Sequence, residues 1–208
     1  GRDALIQILP SDHEITVDDT YRACVRKAAD AARNGKIVTF GITPTEPATG
    51  YGYIEIGEDL GNGVNTVARF VEKPNADVAE KMLASGNYAW NSGMFVFSAG
   101  QMISELQTLA PEVLAAVEQS VENAKGDLDF TRLDATSFAA SPSISIDYAV
   151  MEKTPNAAVV PSPITWSDLG SWDAIWKLAE GDEHGNVVNG NATVSDTTNS
   201  LIMSRNAH

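Results

Sequence analysis

Two short apolar runs on either side of an amphipathic stretch constrain the fold most strongly. Residues 5–9 and 37–42 are apolar and of strand length, and the apolar residues between them recur every three or four positions. A helix that begins near Thr16 and ends at Asn34-Gly35 fits between the two runs. We therefore predict a buried strand, a helix and a second buried strand, which form a parallel-sheet unit and place the chain in the α/β class.

The remaining sequence continues this alternation and then changes. Residues 88–97 are apolar enough for a strand but hold Asn91-Ser92-Gly93 in their middle, and Ser145 can cap a short helix over residues 146–152. From about Gly181 onward only short strands and turns are predicted. The sequence thus predicts a main domain over residues 1–180, with helices flanking a sheet, and a short β appendage over residues 181–208.

Charge and cysteine content exclude several classes of protein. The chain carries 28 acids and 14 bases, a net charge of −14, which argues against nucleic-acid binding because that needs a basic face. A small phosphate-bearing substrate is not excluded, because one metal ion and one lysine can balance its charge. Cys24 is the single cysteine, so a reducing, cytoplasmic setting is expected. No apolar run approaches the length of a membrane span.

Polar residues follow or interrupt apolar runs at four places, and ligands of α/β sheets bind at such strand ends. The four places are Asp12, Glu72-Lys73, Asn91 and Asp168. Each has a purely structural explanation as well. Asp12 can turn the chain, Glu72-Lys73 can be an exposed pair, Asn91 can belong to a β-bulge, and Asp168 can cap a helix near Ser171. His13, His184 and His208 show no metal-ligand spacing and are predicted to lie on the surface or behind a site.

Together the four places favour a sugar phosphate as ligand. Two acids at separate strand ends can share a divalent cation, and Mg²⁺ held in this way bridges substrate phosphates. A lysine neutralises phosphate charge, while a glutamate and an asparagine can bind sugar hydroxyls. From the residues alone, this remains one interpretation among several.

The motifs at these places resemble those of the sugar nucleotidyltransferases, in particular their mannose-1-phosphate guanylyltransferase branch. The matching stretches occur in the family's order and are "LPSDHEI", "TGYGYIEIG", "RFVEKPN", "YAWNSGMFVF", "SISIDYAVMEK" and "ITWSDLGSWDAIW". The resemblance implies a Rossmann-like, GT-A-like mixed sheet. It also implies that GMP is transferred from GTP to mannose 1-phosphate, giving GDP-mannose and pyrophosphate for polysaccharide synthesis, and it leaves a homodimer open.

Roles for individual residues follow from the resemblance. Asp12 and Asp168 would hold Mg²⁺, and with Lys73, which would contact the sugar phosphate, they form the expected catalytic set. Gly52 and Tyr53 would allow the backbone to approach the sugar, and Glu72 and Asn91 would bind its hydroxyls. Asp147 also matches the family pattern, with a structural role left open.

One departure from the family is large. The family's glycine-rich signature, with its arginine and lysine, precedes "LPSDH", and residues 1–11 do not contain it. The chain is therefore expected to be a fragment with exposed strand edges and little turnover alone, whose parent could carry a fused isomerase domain. Two alternatives stay open: a sugar-phosphate-sensing regulatory subunit of the same fold, and a pyrophosphorylase for another sugar nucleotide.

Overall fold

The computed structural model describes residues 1–204 and divides the chain into two compact units. The first, here the sheet unit, comprises Gly1–Leu9 and Val17–Ile164; the second, the small unit, comprises Pro10–Thr16 and the chain from Thr165 onward. The domain boundary expected at residue 180 stays a prediction. The last four residues of the expected β appendage, which include His208, lie outside the described residues.

Strands and helices alternate along the described chain. The strands are β1 (Leu5–Ile8), β2 (Glu14–Ile15), β3 (Ile37–Ile42), β4 (Tyr53–Gly61), β5 (Val64–Val71), β6 (Tyr88–Ser98), β7 (Lys125–Asp127), β8 (Phe130–Arg132), β9 (Ala157–Pro161), β10 (Trp166–Ser167), β11 (Val187–Asn189) and β12 (Leu201–Met203). The helices are α1 (Asp19–Arg33), α2 (Ala76–Ser85), α3 (Ala99–Leu109), α4 (Pro111–Glu122), α5 (Ala135–Ala139) and α6 (Trp172–Leu178), with one π-helical turn, Asp147–Met151.

Six strands form the sheet of the sheet unit, in the order β1-β6-β3-β9-β5-β4. Strands β3 and β9 pair in parallel, and the other pairs are antiparallel. Strands β1 and β3 run in the same direction, because both pair antiparallel with β6, which lies between them. The predicted α/β class, with a mixed sheet flanked by helices, is confirmed.

Helix α1 forms where the amphipathic stretch predicts it, with a slightly later start. Its N-cap is Asp18, whose carboxylate accepts the N–H of Tyr21 at 2.8 Å. The buried face of the helix includes Cys24, Ala28 and Ala32, and it packs on β3 and β6. The small side chains on this face allow the helix to lie close to the sheet.

Strand β1 is an edge strand, and the prediction that it is buried is wrong. Ile6 and Ile8 expose 39% and 42% of their surface, because β1 pairs with β6 alone among the described strands. An apolar run does not distinguish a central strand from an edge strand, since burial depends on which neighbours cover it.

Strand β6 is continuous but carries a bulge at its polar interruption. Its first residues pair with β4 and its last with β1, while β3 runs alongside. Thr39 pairs with Phe95 and Gly41 pairs with Asn91. An advance of two residues along β3 therefore corresponds to four residues along β6, so β6 has two extra residues at this point. Gly93, with a φ of 73°, takes the left-handed backbone within this bulge. The unpaired residues of the bulge lie between Asn91 and Phe95, and Asn91 itself stays paired with Gly41 of β3.

The main core lies on the face of the sheet that the π turn covers. It includes Ile37, Ile54, Phe95, Phe97, Val150 and Val159. Among the described residues, no helix combines the length and apolarity that crossing a bilayer requires.

The small unit contains two short two-stranded sheets and α6. Strands β2 and β10 pair antiparallel, and β11 and β12 pair in parallel. Helix α6 is capped by Ser171, whose hydroxyl accepts the N–H of Ala174 at 3.1 Å. Asp168 is therefore not the cap of this helix.

Candidate active site

Polar side chains from β6, from the segment that follows β5 and from the π turn meet beside the bulge of β6, next to the glycine that precedes β4. We call this group, Gly52, Glu72, Lys73, Asn91 and Asp147, the polar cluster. The N–H of Asn91 donates to the carbonyl of Gly52 at 2.8 Å, and the N–H of Lys73 donates to the carbonyl of Tyr51 at 3.2 Å. The sheet ladder thus brings together four residues that the sequence predicts as substrate contacts.

Asn91 is held by hydrogen bonds at both ends of its amide. Its Oδ1 accepts the hydroxyl of Thr39 at 2.7 Å and the N–H of Gly93 at 3.3 Å, and its Nδ2 donates to Oδ1 of Asp147 at 3.1 Å. Because a backbone N–H can only donate, the contact with Gly93 fixes which end is the oxygen. One N–H of Nδ2 has no partner among the described residues.

Glu72 packs directly over Gly52. A Cβ atom at Gly52 would lie 2.6 Å from Oε2 of Glu72, so only glycine leaves room for the carboxylate in this position. The Glu72 side chain is 11% exposed, and Lys73 Nζ lies 3.6 Å from its Oε1. Lys73 itself is largely exposed and has a φ of 47°, an uncommon backbone conformation for a residue other than glycine.

The π turn contributes two carboxylates. Asp147, at its start, holds the amide of Asn91, and Glu152, directly after it, accepts the N–H of Glu72 at 3.1 Å. Between them, Ala149, Val150 and Met151 are buried in the core. The turn therefore links the core to the two polar strands.

Burial of the carboxyls makes their ionisation harder. Desolvation raises the pKa of Asp147, partly offset by hydrogen bonds from its own backbone, Ser145 and Asn91. Burial also raises the pKa of Glu72, and the nearby charge of Asp147 raises it further, while Lys73 lowers it. The cluster thus keeps partly desolvated acceptors close to one cation.

Tyr53 lies on the opposite face of the sheet from Asn91. It pairs with Trp90, the residue before Asn91, and successive residues of a strand point to opposite faces. The hydroxyl of Tyr53 and Nε1 of Trp90 are buried without a hydrogen-bond partner among the described residues. Since the Tyr53 side chain is fully buried, the structure offers no side-chain contact to a ligand there, and its substrate role stays a prediction.

Asp12 and Asp168 both belong to the small unit. Glu14 of β2 faces Ser167 of β10 in an antiparallel pair, so Asp12 and Asp168 leave the ladder at the same end. Oδ1 of Asp168 accepts the N–H of Gly170 at 3.1 Å, and Nε1 of Trp166 donates to Nδ1 of His13 at 3.2 Å. His13 is thus a supporting residue of this ladder.

The described residues contain no group of three or more His, Cys, Asp or Glu side chains arranged to hold a metal. Two carboxylates are still a suitable donor set for Mg²⁺, which commonly binds one or two carboxylates and completes its shell with water and phosphate oxygens. The metal assignment of Asp12 and Asp168 stays a prediction with chemically fitting donors.

Two residues that hydrogen-bond to the polar cluster, Thr39 and Glu152, were not predicted from the sequence. Thr39 lies in the apolar run of β3 and looks like a core residue, yet it is the one side chain in that run that can donate a hydrogen bond. Glu152 stands next to Lys153 and looks like an exposed charge. Of the two, only Thr39 could have been identified from the sequence, because a single hydroxyl in an otherwise apolar strand needs a hydrogen-bond partner when buried.

Comparison with known proteins gives consistent matches. The profile of the family described as Nucleotidyl transferase matches residues 1–185. A protein named Mannose-1-phosphate guanylyltransferase from Sinorhizobium fredii is 59% identical over 208 residues, 100% of this chain and 41% of that protein. Xanthan biosynthesis protein XanB from Xanthomonas campestris pv. campestris is 50% identical over 199 residues, 96% of this chain and 42% of that protein.

A solved structure agrees with the fold. The structure described as mannose-1-phosphate geranyltransferase from Thermus thermophilus matches with a TM-score of 0.77 and 34% identity, over 89% of this chain and 52% of that chain. This chain spans about two fifths of the length of the two curated relatives above, 41% and 42%.

Proposed function

The chain belongs to the nucleotidyl transferase family, and from that premise we propose that it serves the synthesis of GDP-mannose from GTP and mannose 1-phosphate. The substrates are suggested by a relative named Mannose-1-phosphate guanylyltransferase, and the relative named Xanthan biosynthesis protein XanB suggests a role in polysaccharide synthesis. This chain spans only part of their length. The activity is therefore proposed for the full-length protein that the gene encodes, which we call the encoded protein.

The polar cluster is the observation that carries the proposal. Glu72 offers a partly buried acceptor, Asn91 offers a donor fixed by its neighbours, and Lys73 offers a cation. A sugar hydroxyl both donates and accepts hydrogen bonds, so a carboxylate and an amide N–H suit it well. Gly52 has no side chain, and the Glu72 carboxylate takes up the space that one would fill, which places this acceptor beside Asn91.

The proposed reaction is a displacement at phosphorus. A phosphate oxygen of mannose 1-phosphate attacks the α-phosphorus of GTP and forms a new P–O bond. The bond from the α-phosphorus to the oxygen that bridges to the β-phosphorus breaks, and pyrophosphate leaves with that electron pair. No covalent intermediate with the protein is needed, so its residues act through position and charge.

Charge compensation is assigned to three residues. Asp12 and Asp168 of the small unit would hold Mg²⁺ through carboxylate oxygens, and the bound ion would neutralise phosphate charge. Lys73 would place a compact positive charge near the phosphate of the sugar. Its exposure leaves the ammonium accessible to a ligand from solvent.

Product formation from a substrate panel tests the proposal. The encoded protein is incubated with Mg²⁺, with GTP or UTP, and with mannose 1-phosphate or glucose 1-phosphate, and nucleotide sugars are separated by chromatography. We expect GDP-mannose and pyrophosphate in equal amounts as the main products. Preference for another nucleotide or sugar would reject the substrate assignment, and binding of mannose 1-phosphate without turnover would favour a regulatory subunit.

Matched variants then locate the site. Glu72→Gln and Asn91→Ala are expected to raise the KM for mannose 1-phosphate by about tenfold or more, because the first removes the charge of a partly buried acceptor and the second removes a donor. Glu80→Gln, an exposed acid on α2, serves as control. If the KM for mannose 1-phosphate of Glu72→Gln and Asn91→Ala equalled that of Glu80→Gln and of the unsubstituted protein, the polar cluster would be excluded as the sugar site.

Two further expectations also stay proposals. A homodimer of the encoded protein would be detected by light scattering coupled to size-exclusion chromatography. A cytoplasmic location fits the buried free thiol of Cys24 and would be tested by cell fractionation.

A further inference from the structure

The π turn brings Asp147 and Glu152 to the same side of the chain. The N–H of Glu152 donates to the carbonyl of Asp147 at 3.0 Å, which closes the wide turn. In an α-helix, residues five apart lie about 140° apart around the axis. Closure from residue i to i+5 widens the turn, so residue i+5 points much closer to the direction of residue i than it would in an α-helix. Both carboxylates can therefore serve one site.

Asp147 determines what Asn91 can offer a ligand. Both acceptor positions of the Asn91 oxygen are used, by Thr39 and Gly93, and one of its two amide hydrogens is used by Asp147. A single N–H donor remains. Without the acceptor on Asp147 the amide would keep two free hydrogens and would be held through its oxygen alone.

Glu152 acts on the backbone from which Glu72 projects. Its carboxylate accepts the N–H of Glu72, one residue before Lys73 and its left-handed backbone. This contact holds the strand end at the point where the chain turns away from β5. Because Glu152 is exposed, its effect should be smaller than that of Asp147.

A turn that served packing alone would not need these acids. The apolar residues Ala149, Val150 and Met151 already anchor it in the core. A half-buried carboxylate next to a second one costs stability, a cost that an apolar or neutral residue at this position would avoid. π-helical turns are also found frequently at functional sites.

We propose that Asp147 and Glu152 are positioning residues of the sugar site, which the π turn Asp147–Met151 presents together to Asn91 and Glu72. The inference rests on the proposed function, because it assumes that Asn91 and Glu72 contact mannose 1-phosphate. Asp147 occupies one N–H of the Asn91 amide and leaves the other to bind the ligand, and Glu152 fixes the backbone of Glu72. Neither residue needs to touch the sugar.

Steady-state kinetics of the encoded protein tests the proposal. Asp147→Ala should raise the KM for mannose 1-phosphate about tenfold, with the KM for GTP and kcat changed less than about twofold. Asp147→Asn retains an acceptor oxygen and should recover most of this loss. Glu152→Ala should raise the same KM about threefold, and Glu152→Gln should restore it.

Tyr148→Phe is the matched control, because Tyr148 lies in the same turn and is 45% exposed. It should leave all three kinetic constants unchanged. Equal changes in both KM values and kcat for Asp147→Ala would show a merely structural role and overturn the proposal, as would Asp147→Asn being as impaired as Asp147→Ala. If Asp147→Ala does not fold, the Glu152 pair decides.

The proposed function and the positioning role fail differently. If the unsubstituted encoded protein neither binds nor converts mannose 1-phosphate, the function is wrong and the positioning role falls with it. If it converts the substrate but Asp147→Ala and Glu152→Ala keep its KM, the function stands and only the positioning role is rejected.

Discussion

The carboxylate of Glu72 occupies the space that a side chain on Gly52 would need. A Cβ atom on Gly52 would lie 2.6 Å from Oε2 of Glu72 and 3.2 Å from Cβ of Asn91. Strands β5 and β6 both pair with β4, and Glu72 and Asn91 come together across it because Gly52 has no side chain.

Gly52→Ala should displace Glu72 and weaken substrate binding. We expect the affinity for mannose 1-phosphate, measured by calorimetry, to fall about tenfold or more, because a shifted acceptor loses its hydrogen bond to the sugar. Gly50→Ala is the control, since its Cβ would meet no atom within 4 Å and its φ is not positive. Unchanged affinity in Gly52→Ala would show that Glu72 does not need its observed position.

Thr39→Val should destabilise the sheet unit although it keeps the shape of the side chain. Thr39 is fully buried, and its hydroxyl is the shortest contact of the Asn91 amide, at 2.7 Å. Loss of this donor should lower the free energy of unfolding by about 1–2 kcal/mol, measured in urea. Thr39→Ser keeps the hydroxyl and should retain this contact. A Val variant as stable as the natural protein would contradict the prediction.

The stability effect of Asp147→Asn should depend on pH. Because burial raises its pKa, folded Asp147 holds its proton more tightly than the unfolded chain does. Its contribution is fully present below the pKa of an aspartate in the unfolded chain and is lost as pH rises through the higher folded pKa. Stability of the Asn variant relative to the natural protein should thus increase from pH 4 towards neutral pH.

Urea unfolding at several pH values measures this difference. Removal of the Asp147 charge also lessens the upward shift of the Glu72 pKa, which acts in the same direction. Asp30→Asn, an exposed acid paired with Arg33, should change stability by less than about 1 kcal/mol throughout. A relative stability of Asp147→Asn that falls towards neutral pH would refute the assignment.

Metal removal should abolish turnover by the encoded protein. A chelator should stop GDP-mannose formation, and added Mg²⁺ should restore it. Asp12→Asn and Asp168→Asn should each raise the Mg²⁺ concentration for half-maximal rate about tenfold, because each removes a charged ligand. Asp173→Asn, an exposed acid paired with Lys177 on α6, is the control. Full activity of both ligand variants at low Mg²⁺ would reject the metal assignment.

The residues of the polar cluster could be predicted from the sequence more readily than the residues that hold them in place. Glu72 stands out because it directly follows an apolar strand, and Asn91 because it interrupts one. The bulge explanation and the site explanation for Asn91 are both compatible with the structure. Asp147 could be predicted only as the start of a short helix, because a π turn depends on how its buried residues pack. The exposed edge of β1 was hidden for the same reason, since pairing partners are set by the whole sheet.

Strand β6 runs past three partners, β1, β3 and β4, and carries Asn91 in its middle. A segment with so many shared hydrogen bonds cannot open by itself, so its amide hydrogens should exchange with solvent only when the whole sheet opens. The sugar site and the sheet therefore form one cooperative element. A ligand bound at Asn91 would therefore slow amide hydrogen exchange as far away as the edge strand β1. Conversely, a substitution that weakens the pairing of β1 would lower the affinity for the ligand.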